Sequence, residues 1–242
     1  MLRINFDRFN ALEHRIHGTL CEAVKVEENI KINRAAEICG CTASKVSKFV
    51  RKTGFASYKD YIGFLYGDAP RIRKGSAASP STEMERIRNF VDTFDIKIVD
   101  EFIVLLNKYD KIILFGYGPS LICAQYFEYK LRIVTSKAVM TAPDEATART
   151  LLDDKSLLIV FSTTGKFASF GGIFDYAKEK SAGSLLIAEE YNTSLLSDCE
   201  QVIYLTIATQ NESYKPYEKS RIVFFIFIEE VVLRLMAAGG KG

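Results

Sequence analysis

The chain has 242 residues, 48% hydrophobic and 26% charged, with a formal net charge of +2. That apolar content excludes a mainly disordered chain, and five cysteines at irregular spacing exclude a disulfide framework. The small net charge hides an asymmetry: residues 1–74 carry 14 Lys/Arg against 8 Asp/Glu, a net of +6, and the remainder nets −4. This is the balance expected when only one of two domains meets a polyanion. Residues 6–27 read as a helix with Phe6, Phe9, Leu12, Ile16, Leu20, Ala23 and Val24 along one side. The stretch from Ala35 to Phe49 then reads as two short helices around a glycine turn. Ala35, Ala36, Ile38 and Cys39 give the first a small apolar side, and Gly40 stands where a helix end needs a left-handed residue. Thr42 can cap the second helix, whose Val46, Phe49 and Val50 face inward.

Ser44, Lys45, Ser47, Lys48, Arg51 and Lys52 are left pointing outward, with Thr42 at their head. Hydroxyls for base edges and cations for phosphates fit a helix that reads the major groove of DNA. A basic solvated face has the same pattern, so the spacing alone leaves both open. Cys39 and Cys41 flank the turn, but no other Cys or His lies at finger spacing, and no metal site is expected. A further short helix at 58–65 follows Gly54-Phe55, and residues 67–82, rich in small residues, read as a linker.

The grammar then changes. A helix over 83–107 leads to an apolar strand at 111–115 that ends in Gly116-Tyr117-Gly118. A helix at 120–132, a strand at 138–140 and a helix at 144–152 follow. The next strand, 156–161, ends in Ser162-Thr163-Thr164-Gly165 and precedes a helix over 169–180. Strands at 184–188 and 201–205 and an apolar helix at 220–236 complete the pattern. Continuous apolar strands alternating with helices indicate a doubly wound parallel sheet covered on both faces. The last helix, apolar nearly all round, is expected to pack on the sheet domain or on a second copy of the chain. The N-terminus lacks the apolar core of a signal peptide, and the longest apolar run, 222–228, is too short to cross a bilayer. A cytoplasmic location without membrane contact is expected.

In open parallel sheets ligands sit beyond the carboxyl ends of the strands. Two such ends here carry glycines and hydroxyls: Gly116 to Ser120, and Ser162 to Gly165. Hydroxyls beside a helix N-terminus suit a phosphate, although the same residues could simply cap helices. The first loop is not a dinucleotide fingerprint, because the third glycine position holds Leu121, and no Gly-Lys-Ser/Thr follows it.

Taken in order, these motifs resemble the RpiR family of bacterial transcriptional regulators, a helix-turn-helix joined to a sugar isomerase (SIS) domain. In the first part the likeness runs through Ile32, Ala36, Glu37, Gly40, Thr42, Val46, Ser47, Phe49, Arg51, Lys52, Gly54 and Phe55. In the second it runs through Phe115-Gly116, Gly118, Ser120, Phe127 to Leu131, Ser162, Thr164-Gly165, and Asn192 with Ser194. The resemblance implies an α/β chain: an all-helical DNA-binding domain at 1–66, the linker at 67–82 and an SIS-type domain at 83–238. It further implies a homodimer or homotetramer that binds double-stranded operator DNA and senses a phosphorylated sugar, with no cofactor. Carried over by motif, Ser120, Ser162, Thr164 and the backbone of Thr163 and Gly165 hold the phosphate.

Three positions depart from the family pattern. Phe167 replaces a usual Thr, Pro119 removes a backbone donor, and Lys48 stands for a usual Arg. An isomerase on the same domain would need an acid and a base. His14 and His17 both lie in the DNA-binding half, which leaves Glu128, Asp144 and Glu145, so no catalysis is expected. A DNA-binding dimer with a purely structural sheet domain stays open because of Phe167.

Overall fold

The computed structural model describes residues 2–5, 9–53, 55, 57–66, 82–165, 170–190, 199–206, 209–211 and 213–239. Gly54, most of the expected linker, Phe167, Asn192 and Ser194 lie outside the described residues.

After a short strand, β1 (Leu2–Asn5), four helices follow: α1 (Ala11–Ala23), α2 (Ile32–Ile38), α3 (Ala43–Lys52) and α4 (Tyr58–Leu65). The helix expected from residue 6 begins at 11. Asn10, itself extended, caps α1, accepting from the Glu13 N–H while the Glu13 carboxylate accepts from the Asn10 N–H. Helix α2 ends at Gly40, which has φ of 59°. The Cys41 N–H donates to the Ala36 carbonyl and the Gly40 N–H to that of Glu37, a left-handed C-terminal cap. Thr42 then opens α3, its side chain accepting from the Lys45 N–H.

The remaining elements are α5 (Glu83–Asp92), α6 (Ile96–Leu106), β2 (Lys111–Gly116), α7 (Pro119–Val134), β3 (Ala138–Thr141) and α8 (Glu145–Leu151). They continue with β4 (Ser156–Ser162), α9 (Phe170–Glu179), β5 (Gly183–Ala188), β6 (Gln201–Tyr204) and α10 (Ile222–Gly239). The single helix expected over 83–107 is two. The Thr93 hydroxyl turns back onto the Asn89 and Phe90 carbonyls, and Asp95 caps α6 by accepting from the Lys97 N–H.

The sheet order is β1-β6-β5-β4-β2-β3, with β2 to β6 parallel and β1 antiparallel to β6. From β2 the chain passes to β3 on one side and then to β4 on the other, so the switch point lies beyond the ends of β2 and β4. Every residue of β4 is buried, as a central strand covered on both faces requires. On one face α6, α7 and α10 bring Phe102, Phe127, Phe224 and Phe227 together with Phe161 of β4. Their ring centroids stand 5.6 to 6.1 Å apart, and Phe161 meets Phe127 and Phe224 edge-on, a favourable arrangement of ring quadrupoles. Thus α10 does pack on the sheet domain, while Leu233 and Met236 remain exposed. On the other face α8 and α9 cover the sheet. One buried cluster runs on from there into the core of α1 to α4, through residues such as Leu20, Cys21, Phe49 and Tyr61.

Candidate ligand pocket and reading helix

A cavity of about 270 Å³ opens at the switch point. Tyr117, Gly118, Pro119 and Ser120 from the β2–α7 turn form one wall, and Phe161, Ser162, Thr163 and Thr164 from the end of β4 form another. The turn is tight: a Cβ on Gly116 would lie 2.9 Å from the Ser120 backbone, and Gly118 has φ of 52°. These constraints set the Ser120 hydroxyl on the first turn of α7, beside the cavity. Across from it, Ser162 is buried and its hydroxyl oxygen accepts from the Gly165 N–H at 2.9 Å. Thr163 is 3% exposed, and its hydroxyl has no hydrogen-bond partner among the described residues. A buried hydroxyl in that state marks a place for a ligand or water.

The third wall, Pro216, Tyr217 and Arg221, comes from the segment leading into α10. None of the three stood out in the sequence, where a single arginine ahead of an apolar run has no motif. Burial holds the Arg221 guanidinium below the usual arginine range. Behind this wall lies a buried polar network. Arg86 of α5 pairs with Glu83, Glu189 and the Ser220 hydroxyl, and Gln210 bonds Glu189, Glu190 and the Ser220 backbone. Lys219 bonds both oxygens of Glu190 at 2.7 Å. Burial outweighs the Arg86 contact and pushes the Glu189 carboxyl up to about 7.

The three carboxylates weighed as bases have other tasks. Glu128 accepts from the Thr141 N–H and pairs with Arg132. Asp144 caps α8, and Glu145 pairs with Arg149 and accepts from the Tyr117 hydroxyl. Among the described residues no cluster of three or more His, Cys, Asp or Glu is placed to hold a metal ion.

In the helical part, Val46, Phe49 and Val50 of α3 are buried against α1 and α4. Ser44, Lys45, Lys48 and Arg51 are exposed and Ser47 is half-buried, with no hydrogen bond or ion pair from these side chains among the described residues. Lys52 differs. Its ammonium reaches Glu13 of α1 at 2.6 Å and lies 6.0 Å from the centre of the Phe9 ring, so it is drawn off the free face toward its own domain. The Thr42 side chain is likewise engaged in its cap.

Residues 105–226 match the SIS domain family. The chain belongs to that family. An uncharacterized HTH-type transcriptional regulator of Providencia stuartii is 21% identical over 199 residues, 75% of this chain and 70% of the relative. The Vibrio vulnificus NanR protein complexed with ManNAc-6P shares the fold, with TM-score 0.55 at 15% identity over 97% of this chain and 89% of its own. A hypothetical protein of Methanococcus jannaschii, for which a 3-hexulose-6-phosphate isomerase function has been inferred, superposes with TM-score 0.51 at 21% identity. That match covers 65% of this chain and 91% of the archaeal one.

The SIS domain thus brings Ser120, Ser162, Thr163 and Thr164 to one cavity. Gly165 lies behind them, with its N–H turned to Ser162 rather than to the opening. No helix among the described residues is long and apolar enough to cross a membrane.

Proposed function

We infer that the chain is a DNA-binding transcriptional regulator of carbohydrate metabolism, of the RpiR type, whose SIS domain senses a phosphorylated sugar. The observation that carries this reading is the cavity at the switch point, lined by Ser120, Ser162, Thr163 and Thr164 and sharing a chain with a helix-turn-helix. Buried hydroxyls on opposing walls suit the oxygens of a phosphate. The NanR protein of the same overall fold, complexed with ManNAc-6P, adds support for a phosphosugar as the effector. The division of labour follows the sequence, with one correction. Within residues 1–66 helices α1 to α4 bind operator DNA through Ser44, Lys45, Ser47, Lys48 and Arg51, whereas residues 2–5 are a strand that pairs with β6, so that part is not all-helical. Residues 67–82 link and residues 83–238 sense.

An enzyme is disfavoured because Glu128, Asp144 and Glu145 each hold a backbone or cationic partner instead of facing a substrate with a complementary acid. Self-association is part of the reading: Ile122, Tyr129 and Ile133 form an exposed stripe along α7, at the spacing of one helix face. In a dimer the effector favours one arrangement of the two α3 helices, whose separation must match half-sites about one helical turn, or a multiple, apart.

Two measurements test this. Selection from randomised duplex DNA is expected to enrich a palindrome. Lys45→Ala and Lys48→Ala are each expected to weaken its binding and lower the salt slope by about one unit. A thermal-shift panel of phosphorylated hexoses, amino sugars, pentoses and their acids is expected to give a hit that Ser162→Ala abolishes. No enrichment refutes the DNA-binding half. A blank panel refutes the sensing half and leaves a DNA-binding dimer with a structural SIS domain.

A further inference from the structure

We propose that Arg221 is the cationic contact for the effector's phosphate, and that it makes the pocket selective for anionic over neutral sugars. The proposal rests on the sugar-phosphate reading above and names a residue that reading does not use.

At four positions around the cavity the backbone donor is missing or already spent. Pro119 has no N–H. The Ser120 N–H is spent on the Tyr117 carbonyl at 3.1 Å, that of Leu121 on Gly118 at 3.0 Å, and that of Gly165 on the Ser162 hydroxyl at 2.9 Å. What these positions leave is a set of neutral hydroxyls, Ser120, Ser162 and Thr163, which orient oxygens but balance no charge. A phosphomonoester carries about −1.5 to −2 charges at neutral pH. Withdrawn from water, it needs a formal cation beside it.

Arg221 lines the same cavity and is supplied for that task. Its Nε is buried with no hydrogen-bond partner among the described residues, and one terminal nitrogen is tied to the Lys219 carbonyl. The neighbouring acids have cations and donors of their own. Arg86 and Gln210 hold Oε1 of Glu189, whose Oε2 is buried without a hydrogen-bond partner among the described residues, and Lys219 and the Gln210 backbone hold Glu190. Arg221 makes no close ion pair among the described residues and feels Glu189 and Glu190 only at longer range, so a partly desolvated guanidinium lines the cavity without a carboxylate in contact. A guanidinium stays protonated even when burial opposes it, and an unpaired buried charge is costly unless a ligand completes it. The planar fork also suits two oxygens of one phosphate.

The test uses the full chain and the phosphosugar that shifts its melting point most, with the same sugar lacking phosphate as the paired probe. Calorimetric titration of Arg221→Gln, which keeps a polar side chain but not the charge, is expected to show a loss of roughly ten- to hundred-fold for the phosphosugar. Affinity for the unphosphorylated sugar is expected to change little. Wild-type affinity is expected to rise with pH through the second phosphate ionisation near about 6, and the rise to flatten in Arg221→Gln. A merely structural arginine would move both sugars alike and leave the pH profile intact. Binding of the phosphosugar within twofold of wild type in Arg221→Gln, while Ser162→Ala abolishes it, overturns the role of Arg221 and leaves the sensing reading standing. Should Arg221→Gln not fold, Arg221→Met carries the test: it keeps an unbranched stem without the charge, and unchanged phosphosugar affinity there overturns the proposal. No phosphosugar or inorganic phosphate binding to the wild type overturns both.

Discussion

Protonation of His17 is expected to unfold the helical part from within. The imidazole is 7% exposed, with Nδ1 2.9 Å from the Tyr61 hydroxyl, and the Phe9, Phe49 and Tyr61 rings lie 6.3 to 6.4 Å from it. Burial, reinforced by His14, lowers its pKa from 6.5 to about 4. The unfolded chain therefore takes the proton first, and stability falls as pH drops from about 6.5 and is fully lost for this group below about 4. The shift corresponds to about 3 kcal/mol, of which roughly 2.5 kcal/mol is reached by pH 4.5. Urea unfolding at neutral pH and at pH 4.5, followed by tyrosine fluorescence and far-UV circular dichroism, measures the loss. Carboxylates add to it, so His17→Gln is the control: its pH-dependent loss is expected to be smaller by about 2 kcal/mol. The chain has two histidines, which makes the imidazole region of a proton spectrum simple. A His17 signal with its midpoint near 6.5 in the folded protein would refute the reasoning.

Two further perturbations probe the turn ahead of α3 and the polar network behind the pocket. Gly40→Ala meets no atom within 4 Å, so only the left-handed backbone resists it, and a loss of about 1 kcal/mol in urea unfolding is expected. A loss several times larger would mean that the turn is crowded. Arg86→Met leaves Glu189 buried without its cation and is expected to cost about 3–5 kcal/mol, most severely above neutrality, where Glu189 must ionise. Adding Glu189→Gln is expected to restore most of the stability in the same assay, and a double variant no better than the single would show that packing, not charge, is at stake.

What could be read from the residues alone depended on how local the cause was. Thr42, Gly40 and the inward Val46, Phe49 and Val50 act within one or two turns, and α3 formed where they point. The continuous apolar run of β4 and the hydroxyls after it needed only their neighbours to be recognised, and they do line the cavity. The break between α5 and α6 hinges on Thr93 and Asp95 side chains turning onto backbone, a competition that apolar spacing does not register. Lys52 shares its outward spacing with Lys48, yet Glu13, 39 positions away, draws it aside. Arg221 reaches the cavity only because α10 packs where it does, so its role was invisible until the sheet was assembled.

The pairing of β1 with β6 sets residues 2–5 against residues 201–204. During synthesis β1 and helices α1 to α4 emerge well before β6, so β1 has no partner strand until residues 201–204 have been made. The antiparallel match of Leu2 with Tyr204 through Asn5 with Gln201 ties two segments about 200 positions apart and covers the outer edge of β6. A bulky group attached just ahead of Leu2 therefore lands on the sheet border, far in sequence from the strand that it would disturb. Amide exchange along β6 reports whether that seam has closed.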